Sequence, residues 1–445
     1  MTGISLLAHQ QGYKVTGSDS NIYPPMSEIL AAQAIECLNG YDELPDADLY
    51  IVGNVMTRGM PIIEQLLNEG RPYISAPQWL AENVLKGRRV LAVAGTHGKT
   101  TTTALLTKLL MADGREPGYL IAGAARDFSL PADLGKGDEF VLEADEYDSA
   151  FFDKRAKFIH YRPNCLILTS LEYDHADIYE DLAAVEKQFC HLLRTVPAKG
   201  DVFFISANSS LEKVIDMDCL ATKHRLVMLN DGEASSIYSQ REILCSRDLV
   251  GEGKEKVTIY LPDSNIEIIW QLKGRHNAAN LLAAAAAAYT IGVSPVNIKQ
   301  AAAQFSGVAR RLQTLGVFNG IEIISDFAHH PTAIKATITT LAEYKRKGKL
   351  RAIIDLASHT MRVGIHSDLI EAANRADEVL WFLSNPAKSV SAIRQLKVND
   401  NQLFNQAKDL VDYLGDKAKE GDTLVLMSNG AADKMLTPLI ARLQG

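Results

Sequence analysis

Seven residues near the first quarter of the chain, Gly95-Thr-His-Gly-Lys-Thr-Thr101, combine the types needed to hold a phosphate chain. They follow the apolar run Arg89-Val-Leu-Ala-Val-Ala94 and precede a stretch that reads as a helix, the context a phosphate loop requires. Gly95 and Gly98 would let the backbone wrap the phosphates, with the N–H groups of Thr96 and His97 turned toward their oxygens. The helix opening at Lys99 adds a favourable dipole. Lys99 would meet the β- and γ-phosphates of ATP, and Thr100 would give its hydroxyl to Mg²⁺, with Thr101 closing the loop. The spacing departs from G-x-x-x-x-G-K-[ST], because Val93 stands where the first glycine belongs.

ATP chemistry needs a further metal ligand, and two acidic segments offer one. Leu142-Glu-Ala-Asp-Glu-Tyr-Asp148 ends an apolar run, so its carboxylates would emerge at the sheet edge beside the phosphate loop. Glu143, Asp145, Glu146 and Asp148 are all candidates, and spacing singles out none. Glu172-Tyr-Asp-His-Ala-Asp177 follows the next apolar run and adds His175. Magnesium prefers oxygen, so a histidine ligand would be unusual, and a loop or capping role is the plainer reading of His175. No histidine or cysteine spacing suggests zinc.

The elements that must position these residues alternate between strand and helix. In the first region, Thr2 to Gln11 reads as a helix, Tyr13 to Gly17 and Leu49 to Gly53 as strands, and Met26 to Gln33 and Pro61 to Asn68 as helices. Next come the buried runs Arg89–Ala94, Glu139–Glu143 and Cys165–Thr169, a hairpin from Lys256–Leu261 and Ile266–Trp270, and an alanine-rich helix, Asn277–Tyr289. Ile321–Ile324, Leu350–Asp355, Glu378–Phe382 and Thr423–Met427 are strands of a last region. The pattern predicts an α/β protein of three domains, with boundaries near 87 and 307: residues 1–87, 88–307 and 308–445.

Together these residues resemble the Mur ligase family, ATP-dependent amide ligases of bacterial cell-wall synthesis, along nearly the whole chain. The resemblance implies a Rossmann-like N-terminal domain for the UDP-sugar, a central phosphate-loop ATPase-type domain, and a Rossmann-like C-terminal domain for the incoming amino acid or peptide. It assigns metal binding to Glu143 and His175. Gly274-Arg-His-Asn277 resembles the adenine segment, with Asn277 reading the base and His276 beside it. Arg310-Arg311 matches an arginine pair opening the C-terminal domain, with Arg311 on ATP phosphates. Asp326-Phe-Ala-His-His-Pro331 carries the ribose-binding aspartate, Asp326. Lys99, Glu143, His175 and Arg311 would then be the catalytic set.

Gly17–Met26, Gly53–Gly59, Asp145–Arg155 and Met427–Gly430 resemble one branch of the family best. That branch joins UDP-N-acetylmuramate to the cell-wall tripeptide L-alanyl-γ-D-glutamyl-meso-diaminopimelate, in peptidoglycan recycling. The runner-up branch uses L-alanine, and a phosphate-loop ATPase switch is a more distant alternative. The implied chemistry is activation of the lactoyl carboxylate as an acyl phosphate, then attack by the peptide amine. Two departures stand out. Leu356-Ala-Ser-His-Thr-Met-Arg362 lacks a basic residue expected near the incoming amine, leaving Arg362 as its substitute. The chain also begins at what resembles the tail of a glycine loop, so the first strand of the N-terminal domain is expected to be missing.

Composition narrows the class from the other side. The net charge of −8 argues against a nucleic-acid partner, whose footprint is usually basic. Five scattered cysteines without a C-x-x-C read as reduced thiols, and no apolar run is long enough for a bilayer. A cytoplasmic enzyme with no membrane contact and no obligate protein partner is the expectation.

Overall fold

The structure is a computed structural model that describes residues 1–206, 208–230, 242–250, 254–344, 347–357, 361, 368–384, 402–430 and 433–444. The altered stretch Ser358 to Arg362 lies outside the described residues except for Met361.

The N-terminal part holds α1 (Thr2–Gln10), β1 (Thr16–Asp19), α2 (Met26–Ala32), β2 (Glu36–Asn39), β3 (Tyr50–Val52), α3 (Pro61–Asn68), β4 (Tyr73–Ser75) and α4 (Ala76–Leu80). β1 pairs with β2 and β3 with β4, both in parallel, and the two pairs are separate sheets. The first helix falls where the sequence places it. The strand after it begins three residues later than expected, because β2 reaches only Thr16 in register and leaves Tyr13 to Val15 without a partner strand.

The central part is built on ten strands. They are β5 (Arg89–Ala94), β6 (Gly118–Leu120), β7 (Ala132–Asp133), β8 (Glu139–Ala144), β11 (Cys165–Leu168), β12 (Asp201–Ile205), β13 (Thr222–Met228), β14 (Glu242–Val250), β15 (Lys254–Tyr260) and β16 (Asn265–Trp270). A small hairpin, β9 (Asp148–Ala150) and β10 (Asp153–Ala156), lies beside it. The sheet order is β16-β15-β14-β13-β12-β11-β5-β8-β6-β7. From β14 through β8 to β6 neighbours are parallel; at one edge β15 runs antiparallel to β14 and forms the expected hairpin with β16, and at the other β7 runs antiparallel to β6.

Both faces of this sheet are covered, which explains why β5 reads as a continuous apolar run. Leu91 and Val93 face a core shared with α5 (Lys99–Ala112), α8 (Arg275–Thr290) and α9 (Pro295–Ala303). Val90, Ala92 and Ala94 face the opposite core, with α6 (Leu182–Leu193), α7 (Ser209–Asp218) and, from the N-terminal part, Ile4, Leu7, Trp79 and Leu80. The alternation is the period-2 signature of a strand. Ala283 to Ala288 of α8 are fully buried, and their small side chains let the helix lie close to α5 and the sheet.

The C-terminal part is a six-stranded sheet, ordered β17 (Gln313–Phe318), β18 (Ile321–Asp326), β22 (Thr423–Met427), β19 (Leu350–Asp355), β20 (Glu378–Phe382) and β21 (Leu403–Phe404). Only β17 is antiparallel. One face packs on α10 (Pro331–Glu343) through Ile334, Ile338 and Leu341, and the other on Ala407–Lys417 and Asp433–Gln444. Each strand expected in this region is present. No helix among the described residues is long and apolar enough to cross a membrane.

Candidate active site

The site collects where β5, β8 and β11 end at their carboxyl edge, the usual ligand position of an open parallel sheet. β5 runs into Gly95 and α5 starts at Lys99, so residues 95–98 form a four-residue cradle. Both glycines are required. Gly95 has φ +135° and a Cβ there would sit 2.3 Å from Thr169 Oγ1. Gly98 has φ +83° and its Cβ would sit 2.4 Å from Asn280 Oδ1. The His97 N–H donates to Ser170 Oγ at 2.9 Å, and the Thr96 N–H to the Ser170 carbonyl at 3.0 Å, so the loop is fixed to the segment after β11.

Within this cradle Thr100 Oγ1 donates to Glu143 Oε1 at 3.1 Å. The other Glu143 oxygen accepts from the Ala122 N–H at 3.2 Å. Burial raises the Glu143 carboxyl, and the charges of Lys99 and Arg311 only partly oppose it. A hydroxyl and a carboxylate held together at a buried point are oxygen donors that suit Mg²⁺.

Glu146, one of four candidates in its segment, is almost wholly buried and bridges two expected site residues. Its Oε2 meets Lys99 Nζ at 3.2 Å and its Oε1 meets His175 Nε2 at 3.1 Å. Burial works against the Lys99 charge, but Glu146, Asp145 and Glu143 outweigh it and raise the pKa. Burial likewise opposes the His175 charge, and Glu146 and Asp174 overcome it, so the imidazole pKa is raised. His175 has φ +59°, a left-handed backbone uncommon outside glycine. It reaches the cluster through Glu146, and Glu143 is paired with Thr100 instead.

The C-terminal part supplies the other wall. Arg311 Nη2 approaches Thr100 Oγ1 at 3.5 Å, and its guanidinium lies 4.8 Å from the centre of the Phe327 ring. Burial lowers the Arg311 pKa against the pull of Asp326 and Glu143. Asp326 ends β18, and its two oxygens accept the N–H groups of Leu312 (2.6 Å) and Ala328 (2.7 Å). Arg310 donates to the carbonyls of Ser428 (2.6 Å) and Gly430 (2.9 Å). The Met427–Gly430 motif is thereby tied to the start of this sheet.

His276 and Asn277 open α8 behind the loop. Burial beside Arg247 and Arg311 drops His276 to about 4, so it is neutral. Asn277 Nδ2 donates to the Lys273 carbonyl at 2.9 Å, and its Oδ1 takes Asn280 Nδ2 at 3.4 Å. Asn280, one turn further on, accepts from Thr102 Oγ1 at 3.3 Å and touches the cradle at Gly98. No motif marks Asn280 in the sequence; its position three residues after Asn277, on the same helix face, is the signal it offers.

Residues 93–288 match the Mur ligase middle domain, 310–430 the Mur ligase glutamate ligase domain, and 1–88 the Mur ligase family catalytic domain. The chain is 42% identical over 441 residues to UDP-N-acetylmuramate–L-alanyl-γ-D-glutamyl-meso-2,6-diaminoheptandioate ligase of Escherichia coli K12, covering 97% of this chain and 93% of that one. It belongs to the Mur ligase family. Among solved structures, the murein peptide ligase of Psychrobacter arcticus 273-4 is 36% identical and superposes with a TM-score of 0.75, over 100% of this chain and 96% of that one. A UDP-N-acetylmuramate–L-alanine ligase of Arthrobacter is 29% identical, over 87% of this chain and 79% of its own. The three-domain α/β fold expected from the resemblance to Mur ligases is therefore the fold of this chain, and the chain is an ATP-dependent ligase forming amide bonds.

Proposed function

We propose that this Mur ligase joins UDP-N-acetylmuramate to L-alanyl-γ-D-glutamyl-meso-diaminopimelate, with ATP as the energy source, in peptidoglycan recycling in the cytoplasm. The observation that carries it is the 42% identity, over 97% of this chain, with the Escherichia coli enzyme named for that reaction, against 29% with an L-alanine ligase. Residues 1–87, 88–307 and 308–445 are proposed to hold the UDP-sugar, the nucleotide and the peptide.

A carboxylate does not condense with an amine in water. ATP, as a substrate, would phosphorylate the lactoyl carboxylate, and the peptide's α-amine would then displace phosphate through a tetrahedral intermediate. In this chain Gly95 to Thr101 would cradle the phosphates, and Lys99 and Arg311 would oppose the negative charge that develops on the transferred group. Thr100 and Glu143, oxygen donors already 3.1 Å apart, fit Mg²⁺, with His175 a further proposed ligand. Bound there, Mg²⁺ would supply charge neutralisation on the phosphates. His276, Asn277 and Asp326 are proposed to receive the adenosine. No protein nucleophile is needed.

The test is a single-turnover assay with UDP-N-acetylmuramate, ATP and either the tripeptide or L-alanine. Amide product and ADP in equal amounts from the tripeptide support the reading. Faster amide formation from free L-alanine than from the tripeptide would move the chain to the other branch, and ATP hydrolysis without amide formation would remove it from both.

A further inference from the structure

We propose that His97, Glu172 and His330 form a binding site for a zinc-class divalent ion, at the seam between the phosphate loop and the C-terminal sheet. The site stands apart from the Thr100–Glu143 pair and does not depend on which peptide the enzyme takes. Three elements meet there. His97 lies in the loop after β5, Glu172 in the segment after β11, and His330 caps α10 in the C-terminal part.

The spacing suits one ion. His97 Nε2 and Glu172 Oε2 are 3.5 Å apart, and His330 Nδ1 and Glu172 Oε2 are 3.3 Å apart. Bonds of about 2.0–2.2 Å in a tetrahedron put neighbouring ligand atoms about 3.4 Å from each other. All three ligand atoms lie within 4.8 Å of one another, so only the two imidazoles have to draw together. Two nitrogens and one carboxylate oxygen select zinc or cobalt over magnesium, which wants oxygen alone.

Two hydrogen-bonding details point the same way. His97 Nε2 is buried and has no hydrogen-bond partner, and its 3.5 Å approach to Glu172 is too long to supply one. His330 Nε2 faces the Tyr173 carbonyl at 3.3 Å. A ligating histidine ordinarily donates its second N–H to such a carbonyl, which fixes the ring and leaves the other nitrogen for the metal. Here that other nitrogen, Nδ1, accepts the Thr332 N–H at 3.3 Å, a long cap bond that an ion would replace. Glu172 Oε2 is held in place by Thr332 Oγ1 at 2.6 Å. Glu172 and His97 keep about a quarter of their side-chain surface open, which gives an ion a way in.

The experiment uses the full chain, stripped with a chelator, without nucleotide and in millimolar Mg²⁺. Zinc binding is followed by equilibrium dialysis, and Co²⁺ by its visible ligand-field spectrum. The expected result is one ion per chain, with a Co²⁺ spectrum of low coordination number. Glu172→Gln and His330→Asn should each weaken binding about a hundredfold, as expected for losing a ligand where lost outer partners already cost 10–100-fold. Asparagine caps helices well, so His330→Asn keeps the start of α10. His175→Ala and His329→Ala should leave binding unchanged. No stoichiometric zinc, zinc retained in both ligand variants, or zinc lost with His175→Ala would each overturn the site.

Discussion

Lys99 and Glu146 are joined as a buried ion pair, Nζ to Oε2 at 3.2 Å, where the phosphate loop meets the turn after β8. Lys99 Nζ also donates to the Gly95 carbonyl at 2.5 Å, so the ammonium is folded back onto its own loop. The lysine proposed to meet phosphates is thus kept charged in their absence. Glu146→Gln removes the main partner of a buried cation, which costs about 3 kcal/mol when a pair is broken, with Asp145 and Glu143 remaining nearby. Denaturant unfolding should show that loss without ligand and much less of it with saturating Mg²⁺-ATP, where phosphate takes over the ammonium. An equal loss with and without ATP would mean that Lys99 does not reach the nucleotide.

Lys99→Ala and Glu143→Ala should each reduce ligation at least about a hundredfold, near 2.7 kcal/mol, because under the proposed function each removes charge control from the transferring phosphoryl group. The drop should lie in kcat more than in the KM of the peptide. Turnover close to wild type in either variant would displace the site from Thr100–Glu143.

Sequence spacing locates the loop, because a strand, a glycine pair and a helix are local features. It cannot choose among Glu143, Asp145, Glu146 and Asp148. β8 ends at Ala144, and beyond it the period-2 rule no longer says where a side chain points. Only the resemblance to Mur ligases picked Glu143, and Glu146 as the residue joining Lys99 to His175 emerges from the fold. The His97–Glu172–His330 group is less legible still, since it depends on α10 being brought across to the central sheet. Thr222–Met228 does not read as a strand in the sequence for a different reason. It opens on Thr-Lys-His-Arg, and only Leu226 and Val227 of its seven residues are buried.

Gly98→Ala tests the cradle without touching a charge. The backbone sits at φ +83°, and the new methyl would meet Asn280 Oδ1 at 2.4 Å. Asn280 is hydrogen-bonded to both Thr102 and Asn277, so it cannot swing aside freely. Affinity for ATP should fall about tenfold or more, roughly 1.4 kcal/mol, with the strain of a left-handed alanine contributing about 1–2 kcal/mol. Isothermal titration with a non-hydrolysable ATP analogue measures it. Unchanged affinity would show that the loop relaxes or that nucleotide does not use it.

Glu172 links the acid stability of the protein to the seam between its central and C-terminal parts. Burial would raise its carboxyl, but His97, Thr332 and His330 outweigh that and hold it at about 2, below the ordinary 4.5. A carboxylate depressed in the folded state stabilises above its unfolded pKa, and the contribution fades as pH falls from about 4.5 toward about 2. The full contribution is at most about 3 kcal/mol, and screening at the partly open carboxylate reduces it. Glu172→Gln should therefore be less stable than the wild type by a constant amount from pH 7 to about pH 5. The gap should narrow below about pH 4.5 and close only as pH approaches about 2. Denaturant midpoints across that range check it. A gap that stays constant or widens on acidification would show that the Glu172 charge does not stabilise the seam.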